Sequence, residues 1–231
     1  MRTAVALCLL VTFCTAYANP LDVLRIGVQR SKGQVQDNIQ QLDRLRNNVA
    51  QDTIFKIKNN WIEQMRRHND YSNPTIDAIR KEVDAAKGED KNAQPCYDTA
   101  SNTLRNIWNT ASSDAQRCVD TAESSIKSEL GFVDNLISTG RTLMVELDGI
   151  FLNCFGNDIF QVQRCVALKL GTANVNARDL QSKANSAKFT ATSASNNIVL
   201  QGNNCVYNVY SPAFSQITEL RLAATRCLKA L

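Results

Sequence analysis

The sequence predicts an all-α protein: an elongated antiparallel helical hairpin or bundle that is cross-linked by disulfides and carries additional N-terminal helices. Three observations predict this fold class. Apolar residues recur every three or four positions, which is the period of a helix rather than of a strand. Glycine and proline, with 9 and 4 copies in 231 residues, are too sparse for a β-rich chain with many turns. Six cysteines lie on or beside the apolar faces, where they can bridge neighbouring helices.

Residues 1–18 are predicted to be a secretory signal peptide. One basic residue precedes an apolar stretch, Ala4–Phe13, and the small residues Ala16 and Ala18 form a cleavage site. The stretch is shorter than the roughly 20 residues that cross a membrane, and no second stretch of that length follows. We therefore expect a secreted, extracellular mature chain that starts near Asn19 and has no membrane span.

Composition narrows the classes of partner. Loss of Arg2 with the signal peptide reduces the 26 basic residues to 25, against 22 acidic residues, and the basic residues are dispersed. Nucleic-acid-binding proteins usually cluster their basic residues on one face, so we expect no nucleic-acid partner. Cys8 and Cys14 also leave with the signal peptide. The even number of cysteines that remains in an exported chain predicts disulfides rather than thiols or zinc ligands.

Residues 19–92 form a predicted N-terminal helical segment without cysteine. Its apolar stripe predicts one amphipathic helix, and Asn73–Pro74 predicts the start of a separate short helix that ends at Gly88. A polar connector, residues 88–95, leads into the predicted six-cysteine helical domain, residues 93–231. The stripe consists of Val35, Ile39, Leu42, Leu45, Val49, Trp61 and Met65.

The six-cysteine domain contains two predicted helical arms. In the first, apolar steps of three or four positions run through Cys96–Cys154, with a break expected near Gly131 or Gly140. In the second, the same steps run through Val166–Leu231, where Pro212 either starts a fresh helix or kinks a continuing one. Many seam positions are alanine, which allows a neighbouring helix to approach closely.

Cysteine positions favour one disulfide pairing. Residues that face each other in two antiparallel helices have position numbers with a constant sum. The sums are 323 for Cys96 with Cys227, 323 for Cys118 with Cys205, and 319 for Cys154 with Cys165. All three pairs therefore fit one helical hairpin, whose turn is predicted at residues 155–158.

A parallel pairing remains an alternative. Cys96 and Cys118 are as far apart as Cys205 and Cys227, so 96 with 205 and 118 with 227 also match. Parallel arms would need an additional crossover, because the two remaining cysteines flank a tight turn. We therefore favour the antiparallel set, although six cysteines allow 15 connectivities.

No constellation typical of a catalytic centre, cofactor site or metal site is found. The single histidine, His68, is expected to be an exposed helix residue without a catalytic role. Asn157–Asp158 is interpreted as a turn rather than a cation site. The carboxylates considered as acid–base pairs are expected to lie on solvated helix faces; they are Asp84, Glu89, Asp90, Glu146 and Asp148.

Aromatic residues along the two arms are candidates for the lining of an apolar ligand pocket. Aromatic residues at helical spacing more often fill a core, so core packing is the alternative interpretation to a ligand pocket. Phe155 also belongs to the aromatic residues of the arms. The candidate lining residues are Trp108, Phe132, Phe151, Phe160, Tyr207, Tyr210 and Phe214.

The cysteine-bearing region, about 96–231, resembles a family of insect secreted proteins related to the N-terminal domain of the tsetse midgut EP protein. The resemblance implies an extracellular, non-enzymatic insect protein and supplies no catalytic residues. The acidic Glu-Pro tail of the tsetse protein is absent from this sequence, so nothing tied to that tail is carried over. The residues that carry the resemblance are Cys96–Tyr97, Arg117–Cys118, Ala122, Asn153–Cys154, Arg164–Cys165, Cys205 and Ala223–Cys227.

Two functional hypotheses follow from the sequence. The first is a secreted, non-enzymatic interaction or structural protein that binds another protein or the extracellular matrix. The second is an extracellular carrier of a lipid or small apolar ligand, which would use the aromatic pocket. An enzyme is not expected, because the residue constellations of the common hydrolases are missing.

Overall fold

A computed structural model describes residues 20–231, and this part of the chain is all-α. It contains α1 (Pro20–Gly88), α2 (Gln94–Glu129), α3 (Gly131–Gly149), a short 3-10 helix (Leu152–Cys154) and α4 (Ile159–Lys229). No β-strand occurs between residues 20 and 231. The predicted signal peptide, with Cys8 and Cys14, lies outside the described residues.

Local sequence accounts for where the helices begin and end. Helix α1 begins at Pro20, where the missing N–H is not needed, and carries Asp22 in its first turn and Lys87 in its last. The break between α2 and α3 falls at Leu130, next to one of the two glycines predicted for it. The second of these, Gly140, stays helical.

Helix α1 is continuous through Pro74, so the prediction of a separate short helix starting there is wrong. Proline cannot donate to the carbonyl of Asp70, a loss that costs about 3 kcal/mol in a helix interior. Both Pro74 and Asp70 are exposed, so water can hydrate the free carbonyl. Ser72 and Ile79 are buried on the other face, and their packing holds the helix together across the proline.

The described residues divide into two compact units. Unit 1 contains 20–47 and Leu130–Ala191, and unit 2 contains Asn48–Glu129 and Thr192–Leu231. Each unit packs three helices. Unit 1 contains part of α1, all of α3 and part of α4, and unit 2 contains part of α1, all of α2 and part of α4. The predicted boundary near residue 93 falls at the turn between α1 and α2, inside unit 2.

The core of unit 1 brings its three helices close together at Gly140 of α3. A Cβ atom at this position would lie 2.7 Å from Cγ1 of Ile39 on α1 and 3.2 Å from Cδ2 of Leu180 on α4. Because only glycine lacks that atom, it permits the contact. Alanines on the buried face of α4 assist the close packing; they are Ala173, Ala177, Ala184, Ala187 and Ala191.

The core of unit 2 has a similar close contact and a polar pair. A Cβ atom at Gly202 of α4 would lie 2.6 Å from Cδ1 of Ile57 on α1. The hydroxyls of Thr53 and Ser195, both buried, lie 2.7 Å apart. Thr53 donates its proton to the Val49 carbonyl at 2.6 Å, so Ser195 is the donor between the two hydroxyls.

Three disulfides cross-link the described chain. Cys96 pairs with Cys227 and Cys118 with Cys205 in unit 2, and Cys154 pairs with Cys165 in unit 1. The start of α2 is thus bonded to the end of α4, and a later residue of α2 is bonded to an earlier residue of α4; together the two bonds require the helices to run antiparallel. This is the pairing that the position sums favour over the parallel alternative.

Candidate functional site

Large apolar side chains are exposed where the chain turns between α3 and α4, at one end of unit 1. Leu152 is 82% exposed, Phe155 91%, Ile159 50% and Phe160 76%. We call these four residues the apolar tip. Single exposed apolar residues are ordinary on a protein surface, whereas a cluster within nine consecutive positions is a candidate for an interaction site.

The backbone of the apolar tip is held in place by three local features. The 3-10 helix Leu152–Cys154 ends at Phe155, which has extended dihedral angles, φ −71° and ψ 137°. The Asp158 carboxylate accepts a 2.9 Å hydrogen bond from the Phe160 N–H and thereby caps the start of α4. The Cys154–Cys165 disulfide ties the turn to the first two turns of α4. The exposed side chains therefore project from a fixed backbone.

An open groove borders the apolar tip. It has a volume of about 630 Å³ and runs between the start of α1 and the start of α4. Val23, which is 58% exposed, extends the apolar surface onto α1. The residues that line the groove are Pro20, Val23, Leu24, Phe160, Gln163, Arg164 and Ala167.

Charged residues near the tip differ in whether they have partners. Asp22 forms an ion pair with Arg25 at 3.7 Å, and Asp148 forms one with Lys32. Asp158 is engaged as the helix cap. Arg164, at the edge of the groove, makes no ion pair or hydrogen bond with any residue between 20 and 231. The tip thus carries a guanidinium that is available to an outside anion.

A second cluster, in the core of unit 2, is aromatic. The ring of His68 contacts Tyr210 edge-on at 5.9 Å between centroids and Phe214 at 6.0 Å. Tyr71 contacts Phe214 at 5.7 Å, and the Trp61 indole N–H donates to the Tyr210 hydroxyl at 3.1 Å. Two of the predicted lining residues therefore meet here, together with three residues of α1.

His68 is fully buried, so the expectation of an exposed histidine is wrong. The buried face of α1 continues from Ile57 through Gln64 and His68 to Ser72 in steps of seven, four and four positions, and it includes polar residues that an apolar stripe does not reveal. Neither ring nitrogen of His68 has a hydrogen-bond partner within the described part of the chain.

Burial controls the ionisation of this cluster. Loss of hydration lowers the pKa of His68, and the adjacent Asn69 side chain, which is not in hydrogen-bonding geometry, opposes this shift more weakly. Burial also raises the pKa of Tyr210, against the smaller effect of the Trp61 hydrogen bond. Both side chains are therefore neutral at neutral pH, and His68 packs as an aromatic ring.

The seven candidate lining residues fall into different environments of the two units. In unit 1, Phe160 borders the groove at the tip, and Phe132 lines a separate groove of about 300 Å³ with residues of α4. The Arg25 guanidinium lies over the ring of Phe151, 5.8 Å from its centroid. In unit 2, Tyr210 and Phe214 belong to the aromatic core cluster, while Trp108 and Tyr207 are exposed.

Sequence reasoning noted Phe155 among the aromatic residues of the arms, but it left out two of the four tip residues: Leu152 and Ile159. A signal for them existed. They are large apolar residues that flank the turn Gly156–Asp158, where polar residues are the norm.

The carboxylates predicted to be solvated are on the surface. Asp84 lies 4.0 Å from Lys87, and Glu89 lies 3.1 Å from Lys91, near the end of α1. Among residues 20–231, no group of three or more histidine, cysteine, aspartate or glutamate side chains is arranged to hold a metal ion. None of the helices in this range combines the length and the apolar character needed to cross a membrane.

Comparison of the chain with models of protein families, with curated proteins and with solved structures finds no match. Kinship with the tsetse midgut EP protein family therefore stays a prediction of the sequence.

Proposed function

We propose that the protein is a secreted interaction protein that binds its partner through the apolar tip of unit 1. The observation that carries this proposal is the exposure of Phe155, 91%, together with that of Leu152 and Phe160, on a turn fixed by a disulfide. Full burial of one such side chain contributes about 1.5–3 kcal/mol, so a partner that covers the tip gains a substantial hydrophobic free energy.

An extracellular location is part of the proposal. Disulfides persist in oxidising compartments, and residues 20–231 contain three of them. The Cys154–Cys165 bond also prepares the tip for binding. Because it orders the turn before a partner arrives, less conformational entropy is lost on association.

The experiment measures binding of the labelled full chain to extracellular surfaces of the tissue that secretes it. We expect Leu152→Ser/Phe155→Ser/Phe160→Ser to lose at least tenfold in bound fraction. Phe189→Ser is the matched control, because Phe189 is 79% exposed in unit 1 but lies on α4 far along the chain from the turn. Equal binding by the wild type, the triple variant and the control would contradict the proposal.

A carrier of a small apolar ligand is the second candidate. The groove of about 630 Å³ supports it, because Phe160 and Val23 offer apolar surface there and Arg164 offers a cation for an acidic head group. Native mass spectrometry of protein purified from its source tests this candidate. A retained apolar ligand, lost in Phe160→Ser, supports the carrier, whereas an empty chain argues against it.

A further inference from the structure

We infer that the partner of the apolar tip is a phospholipid surface, into whose interfacial region Leu152, Phe155 and Phe160 insert while Arg164 meets anionic head groups. The inference rests on the proposed function, since it names the partner of the same site. The tip would bind at the interface between the membrane and water, and no part of the chain would need to span the membrane.

The area of the tip is the first argument. At up to about 200 Å² for each side chain, a value typical of an aromatic residue, the exposed fractions of the four tip residues leave at most roughly 600 Å² of apolar surface. A stable interface between two proteins buries about 800 Å² on each partner, of which only somewhat more than half is non-polar, with anchor residues seated in pockets. The tip is therefore large enough for a protein partner or for a lipid surface, whose chains flow around each protruding side chain.

The arrangement of the side chains is the second argument. Phe155 is 91% exposed and therefore rests on almost nothing of its own protein. An apolar face that lies in a membrane interface is buried about 5–10 Å below the head groups, which a Phe side chain on a turn can reach. The polar residues of the turn, Asn157 and Asp158, would then stay at head-group level.

Charge is the third argument. The acidic residues Asp22, Asp148 and Asp158 are each engaged within unit 1, by two cations and by the α4 backbone. Glu146 is an exposed carboxylate that has no partner among residues 20–231, so the surroundings are not purely cationic. Arg164 lines the same groove as Phe160 and also lacks a partner in the described part of the chain. A basic residue at a membrane surface strengthens binding to anionic lipid about fivefold.

The test uses the full chain with intact disulfides in vesicle flotation. The vesicles are phosphatidylcholine alone, and phosphatidylcholine with one quarter phosphatidylglycerol. We expect wild type and Phe189→Ser to float equally well, and Leu152→Ser/Phe155→Ser/Phe160→Ser to lose at least tenfold in affinity. Arg164→Gln should lose about fivefold with the anionic vesicles and little with the neutral ones.

A second measurement follows the tip directly. Phe155→Trp places an indole at the most exposed position of the tip. After the fluorescence spectrum of the wild type is subtracted, the emission of this added indole should shift to the blue when vesicles are added. Wild-type protein that stays unbound in both vesicle preparations overturns the inference, as does equal flotation of the triple variant and the control.

The outcomes separate the inference from the proposed function. If tissue binding depends on the tip but vesicles are not bound, the proposed function stands and the lipid partner is wrong. If sedimentation shows a dimer that the triple variant abolishes, without vesicle binding, the partner is a second copy of the chain. If the triple variant binds the tissue as well as the wild type does, both the proposed function and the lipid partner are wrong.

Discussion

The close contact between α1 and α4 in unit 2 predicts a large effect of one methyl group. In Gly202→Ala the new Cβ would lie 2.6 Å from Cδ1 of Ile57, 3.0 Å from its Cγ1 and 3.2 Å from its Cγ2. Ile57 is fully buried and β-branched, so it has little freedom to change rotamer within the helix. The helices must therefore move apart.

The magnitude follows from two opposing contributions. Alanine is better than glycine in a helix interior by about 1 kcal/mol, whereas overpacking a tight core costs about 1–3 kcal/mol. With three atoms of Ile57 in the way, we expect the upper part of that range. The free energy of unfolding should then fall by about 1–2 kcal/mol, and Tm by about 3–6 °C for a protein of this size.

Gly171→Ala is the matched control on the same helix. Nothing lies within 4 Å of a Cβ at Gly171, so this variant should gain about 0.5–1 kcal/mol from helix propensity alone. Urea unfolding followed by circular dichroism, with disulfides intact, measures both variants. Adding Ile57→Val, which removes Cδ1, should recover about 0.5–1 kcal/mol in the Gly202→Ala background. Equal stabilisation by the two alanines would refute the reasoning.

Three further predictions concern His68, the Thr53–Ser195 hydroxyl pair and one disulfide. The free energy of unfolding should fall as pH drops below about 6.5, because the unfolded chain then takes up a proton on His68 that the folded chain does not. The decrease should be up to about 1.4 kcal/mol per pH unit and should stop once the pH reaches the lowered pKa of His68 in the folded protein. Urea titrations from pH 5 to 8 should show that His68→Phe removes this component, and an unchanged pH profile would count against a buried neutral imidazole. Thr53→Val should cost about 1–3 kcal/mol, more than the roughly 1 kcal/mol of Ser195→Ala, because it leaves the Ser195 hydroxyl without its acceptor; the reverse order in the same urea assay would show that the donor is assigned wrongly. Cys118→Ser/Cys205→Ser opens a cross-link between residues separated by 87 positions and should lower the free energy of unfolding by about 4–5 kcal/mol in the chain-entropy treatment; an unchanged urea midpoint would contradict it.

Much of the six-cysteine region could be predicted because two independent sequence signals, the apolar periodicity and the cysteine positions, indicate its helices. Steps of three and four positions identify the buried face of α2, α3 and α4, and the cysteine sums add the relative direction of α2 and α4. Both signals depend on simple geometry of the regular helix. Both can therefore be read from the sequence without any knowledge of tertiary contacts.

The errors in α1 have a different origin. Pro74 interrupts the hydrogen-bond pattern on a solvated face, and tertiary packing of Ser72 and Ile79 outweighs its local cost. His68 is buried on a face that mixes apolar and polar residues, so polarity alone misplaced it. Local propensity cannot weigh packing that comes from residues more than a hundred positions away.

The tip was only partly anticipated for a third reason. A search along helical seams selects residues that pack, whereas Leu152, which is 82% exposed, does not pack. Whether an apolar residue in a turn folds inward or projects outward depends on the path of the backbone. The 3-10 helix and the disulfide set that path, and of these two features only the disulfide was predicted from the sequence.

The nesting of the three disulfides has a consequence for proteolysis. The bond between Cys96 and Cys227 encloses the other two, so a single cut anywhere between these residues leaves two fragments that remain covalently joined. Helix α1, from Pro20 to Gly88, lies outside every ring. One cut in the turn after Gly88 would leave α1 attached by packing alone. Of the three longest helices, α1 is thus the one that a protease could release.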